Sequence, residues 1–207
     1  MIFDTKCKKC RRVGEKLFLK GERCFSQRCA MVKRPYAPGV HGKNRRSRLS
    51  EYGRQLLEKQ KIRYAYGISE EQFKNYFKEI AHQKGNREEL FVRQLEKRLD
   101  NVVFRLGWAK SRSLARQIVN HGHILVNGKK LDIPSYQVVK GDMIKFKEKT
   151  KKSPLVKDLA ESLKKHKAPR WLSLNAGKIE AEIKDEPKLE NFDKIGELNM
   201  VIEYYSK

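Results

Sequence analysis

Four cysteines carry the clearest chemistry in this sequence. Cys7 and Cys10 are separated by two residues, Cys24 and Cys29 by four, and thirteen residues lie between the pairs. Thiolates spaced in this way can close a tetrahedron around one zinc ion, and a four-sulfur site is structural because no position stays open for water. Lys6, Lys8, Lys9, Arg11, Arg12, Arg23 and Arg28 stand among them, and positive charge stabilises thiolates and offsets the negative charge of a complete site. Four unrelated buried thiols are the bland alternative, and the pairing disfavours it. An iron–sulfur cluster would want a shielded apolar shell, and this segment is short and charged. A disulfide framework is disfavoured because the sequence reads as cytosolic. Met1-Ile2-Phe3 is followed at once by Asp4, Thr5 and Lys6, with no leader pattern.

The second constellation is positive charge. The chain has 48 Lys plus Arg against 25 Asp plus Glu, a formal net charge of +23 over 207 residues. Such self-repulsion calls for a polyanion, and nucleic acid is the expected partner. A basic membrane protein would show a long apolar segment or a strongly amphipathic helix with lipid-facing aromatics, and neither is present. Residues 177 to 207 hold five basic and eight acidic residues, so residues 1 to 176 carry +26 and the binding surface excludes much of the C-terminal tail. The run from Lys33 to Arg63 holds ten Lys or Arg and two Glu, and it starts with Pro35, Tyr36, Pro38, Gly39, His41 and Gly42. A flexible backbone beside dense charge can follow an irregular phosphate surface, although a charge run is often only a solvated face. His41, with no carboxylate or nucleophile patterned near it, is read as packing the loop or touching RNA.

These groups need elements to position them. Residues 1 to 49 are broken by Gly14, Gly21, Pro35, Pro38, Gly39 and Gly42 and lack an apolar period, so metal is expected to order them. Ser50 caps a helix that Gly67 stops, with Leu56, Leu57 and Ile62 inward. Ser69 caps another, with Gln72 completing a capping box and Phe73, Phe77, Ile80 and Ala81 on one face before Gly85-Asn86. A third helix is read through Leu95, Leu99, Val102, Val103 and Leu106, with Arg98, Asn101 and Arg105 on an adjoining polar strip. Ser111 caps a fourth, whose Leu114, Ala115, Ile118 and Val119 point inward and whose Arg112, Arg116 and Asn120 face outward. The period then changes to two. His123 to Val126, the Asn127-Gly128 turn, Lys130 to Ile133, and Met143 to Phe146 read as strands. Ser153-Pro154 opens a last helix with Leu155, Leu159 and Leu163 on one face. Ile179, Ala181 and Ile183, and then Met200, Ile202 and Tyr204, alternate as strands. The apolar stripes, and the Tyr and Phe residues in general, are read as core rather than as stacking platforms.

The predicted fold is therefore α+β. It has a mainly helical body (50–92 and 148–207), a segment of two helices and a small antiparallel sheet (93–147), and a basic, zinc-bound, loop-rich N-terminal segment (1–49); that 93–147 is a domain inserted in an RNA-binding body is what a family resemblance implies. The candidate metal ligands are Cys7, Cys10, Cys24 and Cys29. The candidate RNA-binding residues are Arg11, Arg12, Lys20, Arg23, Lys33, Arg34, His41, Lys43, Arg45, Arg46, Arg48, Arg54, Lys59, Lys61 and Arg63, then Arg98, Asn101, Arg105, Arg112, Arg116, Asn120, His121, His123, Asn127, Lys129 and Lys130. No catalytic residue is assigned.

Several stretches resemble a known family. Cys7-Lys8-Lys9-Cys10-Arg11-Arg12, Leu19-Lys20-Gly21-Glu22-Arg23-Cys24, Pro38-Gly39-Val40-His41-Gly42, Leu49-Ser50-Glu51-Tyr52-Gly53, Glu58-Lys59-Gln60-Lys61, Arg98-Leu99-Asp100-Asn101-Val102-Val103 and His123 to Gly128 are similar, in order and spacing, to zinc-containing bacterial small-subunit ribosomal protein four. The resemblance implies a structural constituent of the small ribosomal subunit in the cytoplasm, binding 16S ribosomal RNA early and nucleating assembly of the subunit body. It implies contact with small-subunit protein five, no membrane, and no homo-oligomer in the functional state. It also implies a place at the messenger RNA entry and in translational accuracy, with Arg45, Arg46 and Arg48 facing messenger. Met1 to Lys6 departs from the family's usual lead. Two rival readings make different demands. A pseudouridine synthase or tyrosyl-tRNA synthetase that borrows the inserted domain would need a catalytic domain, a nucleotide-binding glycine loop or an acid–base pair. A zinc-bearing DNA regulator would need a base-reading helix and a dimerisation surface.

Overall fold

In the computed structural model, residues 6–44, 48–151, 153, 156, 159, 163, 166–193 and 195–206 are described. The chain divides into two units, residues 1–88 with 193–207, and residues 89–192.

The first unit begins with α1 (Lys6–Val13), a 3-10 turn at Gly21–Cys24, α2 (Ala30–Lys33) and a second 3-10 turn at Val40–Lys43. Around α1 the apolar cluster is small: Cys10, Val13 and Leu17 are buried, and Leu19, Met31, Leu57, Tyr64 and Ile195 close over them. α3 (Glu51–Tyr66) and α4 (Glu70–Ala81) follow. The hydroxyls of Ser50 and Ser69 accept hydrogen bonds from the backbone N–H groups of Gly53 and Gln72, each at 3.2 Å, which satisfies donors that a first helical turn leaves open. Gly67 ends α3 in the left-handed conformation, φ 65°, as a residue without a Cβ can.

The second unit contains α5 (Arg87–Glu96), α6 (Leu99–Arg105), α7 (Arg112–Asn120), β1 (Ile124–Val126), β2 (Lys129–Lys130), β3 (Met143–Phe146), α8 (Glu148–Lys151), β4 (Leu172–Asn175) and β5 (Glu180–Ile183). The single helix expected through Leu95 to Leu106 is two, with Arg98 extended between them (φ −64°, ψ 133°). The reason is competition for backbone hydrogen bonds. Leu99 N–H donates to Tyr136 O and Val138 N–H to Lys97 O, so the chain leaves the helix to pair with 136–138. The Asn127-Gly128 turn forms with both residues at positive φ (50° and 80°), and β1 pairs with both β2 and β3.

The five strands run antiparallel in the order β2-β1-β3-β5-β4. Because β5 pairs with β3, this compact unit reaches residue 192. Its core joins α6, α7 and the sheet, with Trp108 against Phe146 at 4.8 Å between ring centroids. Val156, Leu159 and Leu163 are helical and join this core, as the Ser153 helix requires; Pro154 and Leu155 lie outside the described residues.

The chain then returns to the first unit as α9 (Leu198–Ser206). Strands were expected here from Met200, Ile202 and Tyr204, but the same nine residues also carry a helical stripe. Leu198 and Val201 are buried, and Tyr205 stacks on Phe77 at 4.4 Å. Packing on α3, with Gln55 Nε2 donating to Glu203 Oε2 at 3.1 Å, selects the helix.

Candidate nucleic-acid interface

Two carboxylates organise the arginines of α6 and α7. Glu96 is 0% exposed and Asp100 is buried beside it in the chain. Asp100 accepts two hydrogen bonds from Arg98 (3.0 and 2.9 Å) and two from Arg116 (3.0 and 2.8 Å). Glu96 accepts both arms of Arg105, each at 2.8 Å, and the Asn101 amide at 3.0 Å. Asn101 in turn accepts from Arg112 Nε at 2.8 Å, and the Arg112 guanidinium lies 4.6 Å from the Phe104 ring centre. Bidentate, partly desolvated pairs of this kind fix guanidinium direction as well as charge.

This arrangement corrects the expectation that Arg98, Asn101 and Arg105 form an exposed polar strip. Arg98 is 2% and Asn101 1% exposed, and Arg105 is largely covered, because the strip faces two buried acids. Arg112 and Arg116 keep partial exposure while anchored below. Glu96 and Asp100 were missed as site residues. Their signal was present, since two acids stand amid four arginines on helices with an apolar side, but such pairs look the same in sequence whether buried or solvated.

The outer end of α7 continues this surface. Asn120, His121, Asn127, Lys129 and Lys130 are exposed, and the Lys130 side chain lies across Gly122, where any Cβ would meet its Cε at 2.2 Å. The hairpin is thereby held against the α7 terminus. His123 donates to or accepts from Thr150 Oγ1 at 3.1 Å. Burial, then the charges of His121 and Lys147, hold its imidazole below the usual histidine range. Asp142 accepts from Asn127 Nδ2 at 2.8 Å, and Asn127 Oδ1 accepts the Met143 N–H at 2.9 Å, which locks the turn.

In the N-terminal unit, Arg12, Arg23, Lys33, Arg34, His41, Lys43, Arg48 and Arg54 are exposed, and Lys20 and Arg63 are half-buried. Arg45 and Arg46 lie outside the described residues. Arg11 has turned inward. Its Nε and Nη2 donate to the carbonyls of Tyr36 (2.9 Å) and Ala37 (3.2 Å), and its guanidinium lies over the Tyr36 ring. The expectation of exposed basic residues fails for Lys59 and Lys61 too, both buried. Lys59 pairs with Glu70 and lies over Tyr204, and Lys61 pairs with Glu15 and Glu58. Burial raises the Glu70 carboxyl, but hydrogen bonds from Lys59 and Tyr205 outweigh it and hold the group below the ordinary range.

The Pro38 to Gly42 turn has a steric cause. A Cβ at Gly42 would stand 1.9 Å from the Ala37 carbonyl oxygen and 2.8 Å from its carbon, a backbone group held by Arg11. Gly42→Ala is expected to cost about 1–3 kcal/mol and to open the 36–43 turn, read as a lowered denaturation midpoint and faster proteolysis at this turn. An unchanged midpoint would show that the turn relaxes freely.

Cys7, Cys10, Cys24 and Cys29 line one cavity of about 20 Å³, and the last three are buried. Burial pushes the Cys10 thiol up, and the nearby Cys24, Cys7 and Cys29 add to that, against a backbone hydrogen bond at Leu17. Among the described residues no group of three or more His, Cys, Asp or Glu is assembled as it would be to hold a metal ion. No helix among them is long and apolar enough to cross a membrane.

Residues 97–144, which hold the helix pair and hairpin with their basic edge, match the S4 domain, an RNA-binding module, and residues 3–96 match the ribosomal protein S4/S9 N-terminal domain. The chain is 47% identical to small ribosomal subunit protein uS4 of Natranaerobius thermophilus, over 97% of this chain and 96% of that protein. It is 49% identical to uS4 of Heliobacterium modesticaldum and 48% to uS4 of Thermus thermophilus, over the same shares of each. The chain belongs to the small ribosomal subunit protein uS4 family.

Proposed function

We propose that this chain is a structural constituent of the small ribosomal subunit that binds 16S ribosomal RNA and helps to nucleate the subunit body, with no catalytic role. The observation that carries the reading is the arginine surface of α6 and α7, fixed over Glu96 and Asp100, in a chain of net charge +23 that matches uS4 proteins over nearly their whole length. Phosphate contacts position such a protein, and RNA shape and 2′-hydroxyls give it selectivity. The enzymes weighed as rivals would need a catalytic domain beyond what uS4 relatives share with this chain. Contact with small-subunit protein five, and with messenger RNA through Arg45, Arg46 and Arg48, belong to the same proposal. Binding to the 5′ domain of 16S RNA should survive competition by duplex DNA, and the protein should sediment with the small subunit at high salt. Recovery in the free fraction would refute the reading.

The N-terminal segment, in the same proposal, holds one structural zinc through Cys7, Cys10, Cys24 and Cys29. Support comes from the donor set, from the cavity the four share, and from the burial of Cys10, Cys24 and Cys29. Zinc would draw the thiols to a common centre as thiolates, and its chemistry there would be structural only. Metal analysis of protein purified without chelator is expected to give about one zinc per chain. A value near zero, with four thiols titrating freely in the native protein, would sink this part.

A further inference from the structure

Phe18 and Phe25 stack on one another with ring centroids 4.8 Å apart and planes 26° from parallel. They are 46% and 76% exposed, the only exposed phenylalanines among the described residues. An exposed aromatic pair gains little from burial, so the core does not account for it. The backbone holds it deliberately. Phe18 sits at φ 50°, in the left-handed region that a residue with a Cβ enters only against strain, while Leu17 and Leu19 on either side pack into the small core. The inverted residue lets both leucines face inward and turns Phe18 out. Phe25 ends the Gly21–Cys24 turn, its N–H on Glu22 O, so its ring too is fixed by local structure. Lys16, Arg23 and Arg28, also exposed, give the surroundings positive charge.

We propose that the Phe18–Phe25 pair is a stacking platform for one unpaired base of the bound RNA. The inference rests on the RNA-binding reading above and names a contact which that reading lacks: a base rather than a phosphate. Rings with a free outer face beside basic side chains suit a splayed nucleotide, since every base has a π-face and its phosphate needs a nearby cation. A protein partner would be a different proposal, and the net charge of +23 argues for the polyanion.

The test uses the full chain and the 5′ domain of 16S RNA. Phe25→Trp adds an exposed indole to a chain whose own tryptophans, Trp108 and Trp171, are 1% and 3% exposed, so fluorescence quenched by RNA beyond that of the unaltered protein reports stacking at position 25. Phe25→Ala should lower affinity roughly tenfold with an unchanged salt slope, because no counterion-releasing group is removed. Phe25→Tyr should restore binding and Phe25→Leu should not. Phe25→Ala with native affinity, or Phe25→Leu equal to the parent, would overturn the platform while leaving RNA binding intact. No binding by the unaltered chain would overturn both. Phe18 stays in place throughout, so its backbone conformation is not disturbed.

Discussion

Glu96→Ala lowers the stability of the 89–192 unit by about 3–5 kcal/mol, the expected cost of removing one partner from a buried ion pair. The size follows from what the carboxylate serves. It receives both arms of Arg105 and the Asn101 amide, with no exposure of its own to let water take over. Its loss takes one acceptor from a largely covered guanidinium and from a 1%-exposed amide, although Arg105 keeps its bond to Asn191 O at 3.0 Å and Asn101 Nδ2 keeps Glu96 O at 3.2 Å. Glu96→Gln keeps shape and the Asn101 contact, so it should recover part of the loss. Urea unfolding at constant slope gives the measurement. A change under about 1 kcal/mol would mean that water or a rearranged neighbour takes the carboxylate's place.

The second large effect is on binding. Replacing Arg112 and Arg116 together by Ala is expected to weaken binding to the 16S 5′ domain by about 2–4 kcal/mol and to reduce the salt slope by roughly one to two, as two phosphate-directed charges leave. Two arginines that merely face outward, as the helical spacing has them, could be removed without harm to the fold. The structure changes that expectation, because Arg116 neutralises Asp100 and Arg112 occupies the Asn101 carbonyl. A stability loss of about 1–3 kcal/mol should accompany the change, smaller than for Glu96 because Asp100 keeps Arg98. Binding is therefore measured well below the variant's own melting point. Native affinity and salt slope in a folded double variant would show that this face is only solvated.

The legible parts of the sequence were those with local causes. Ser50, Ser69 and Ser111 cap helices through their own hydroxyls, Gly67 ends one, and Asn127-Gly128 turns a hairpin, each within a few residues. The errors were non-local. Arg98 is extended because residues 136–138 claim its neighbours' hydrogen bonds, and 198–206 is helical because α3 offers it a surface. Burial of Lys59, Lys61 and Arg98 was hidden for the same reason, since each depends on a carboxylate whose position only the fold decides. The general reading of Tyr and Phe as core rests on helical spacing, and it fails at Phe25, which stands in a segment without an apolar period and is exposed.

The contact of α9 with α3 has a consequence for the order in which the molecule is made. The strand pairings of the second unit all lie between residues 124 and 183 among the described residues, whereas Gln55 waits for Glu203, 148 positions later. On a translating ribosome that adds roughly 5–20 residues per second, α3 emerges many seconds before its partner helix. The interrupting unit can close in that interval, but the unit begun first is the last to be finished. Its apolar flank, with Phe73 and Phe77 waiting for Tyr205, stays open meanwhile, and that is the stage at which a nascent chain of this protein has most need of a chaperone or of its RNA.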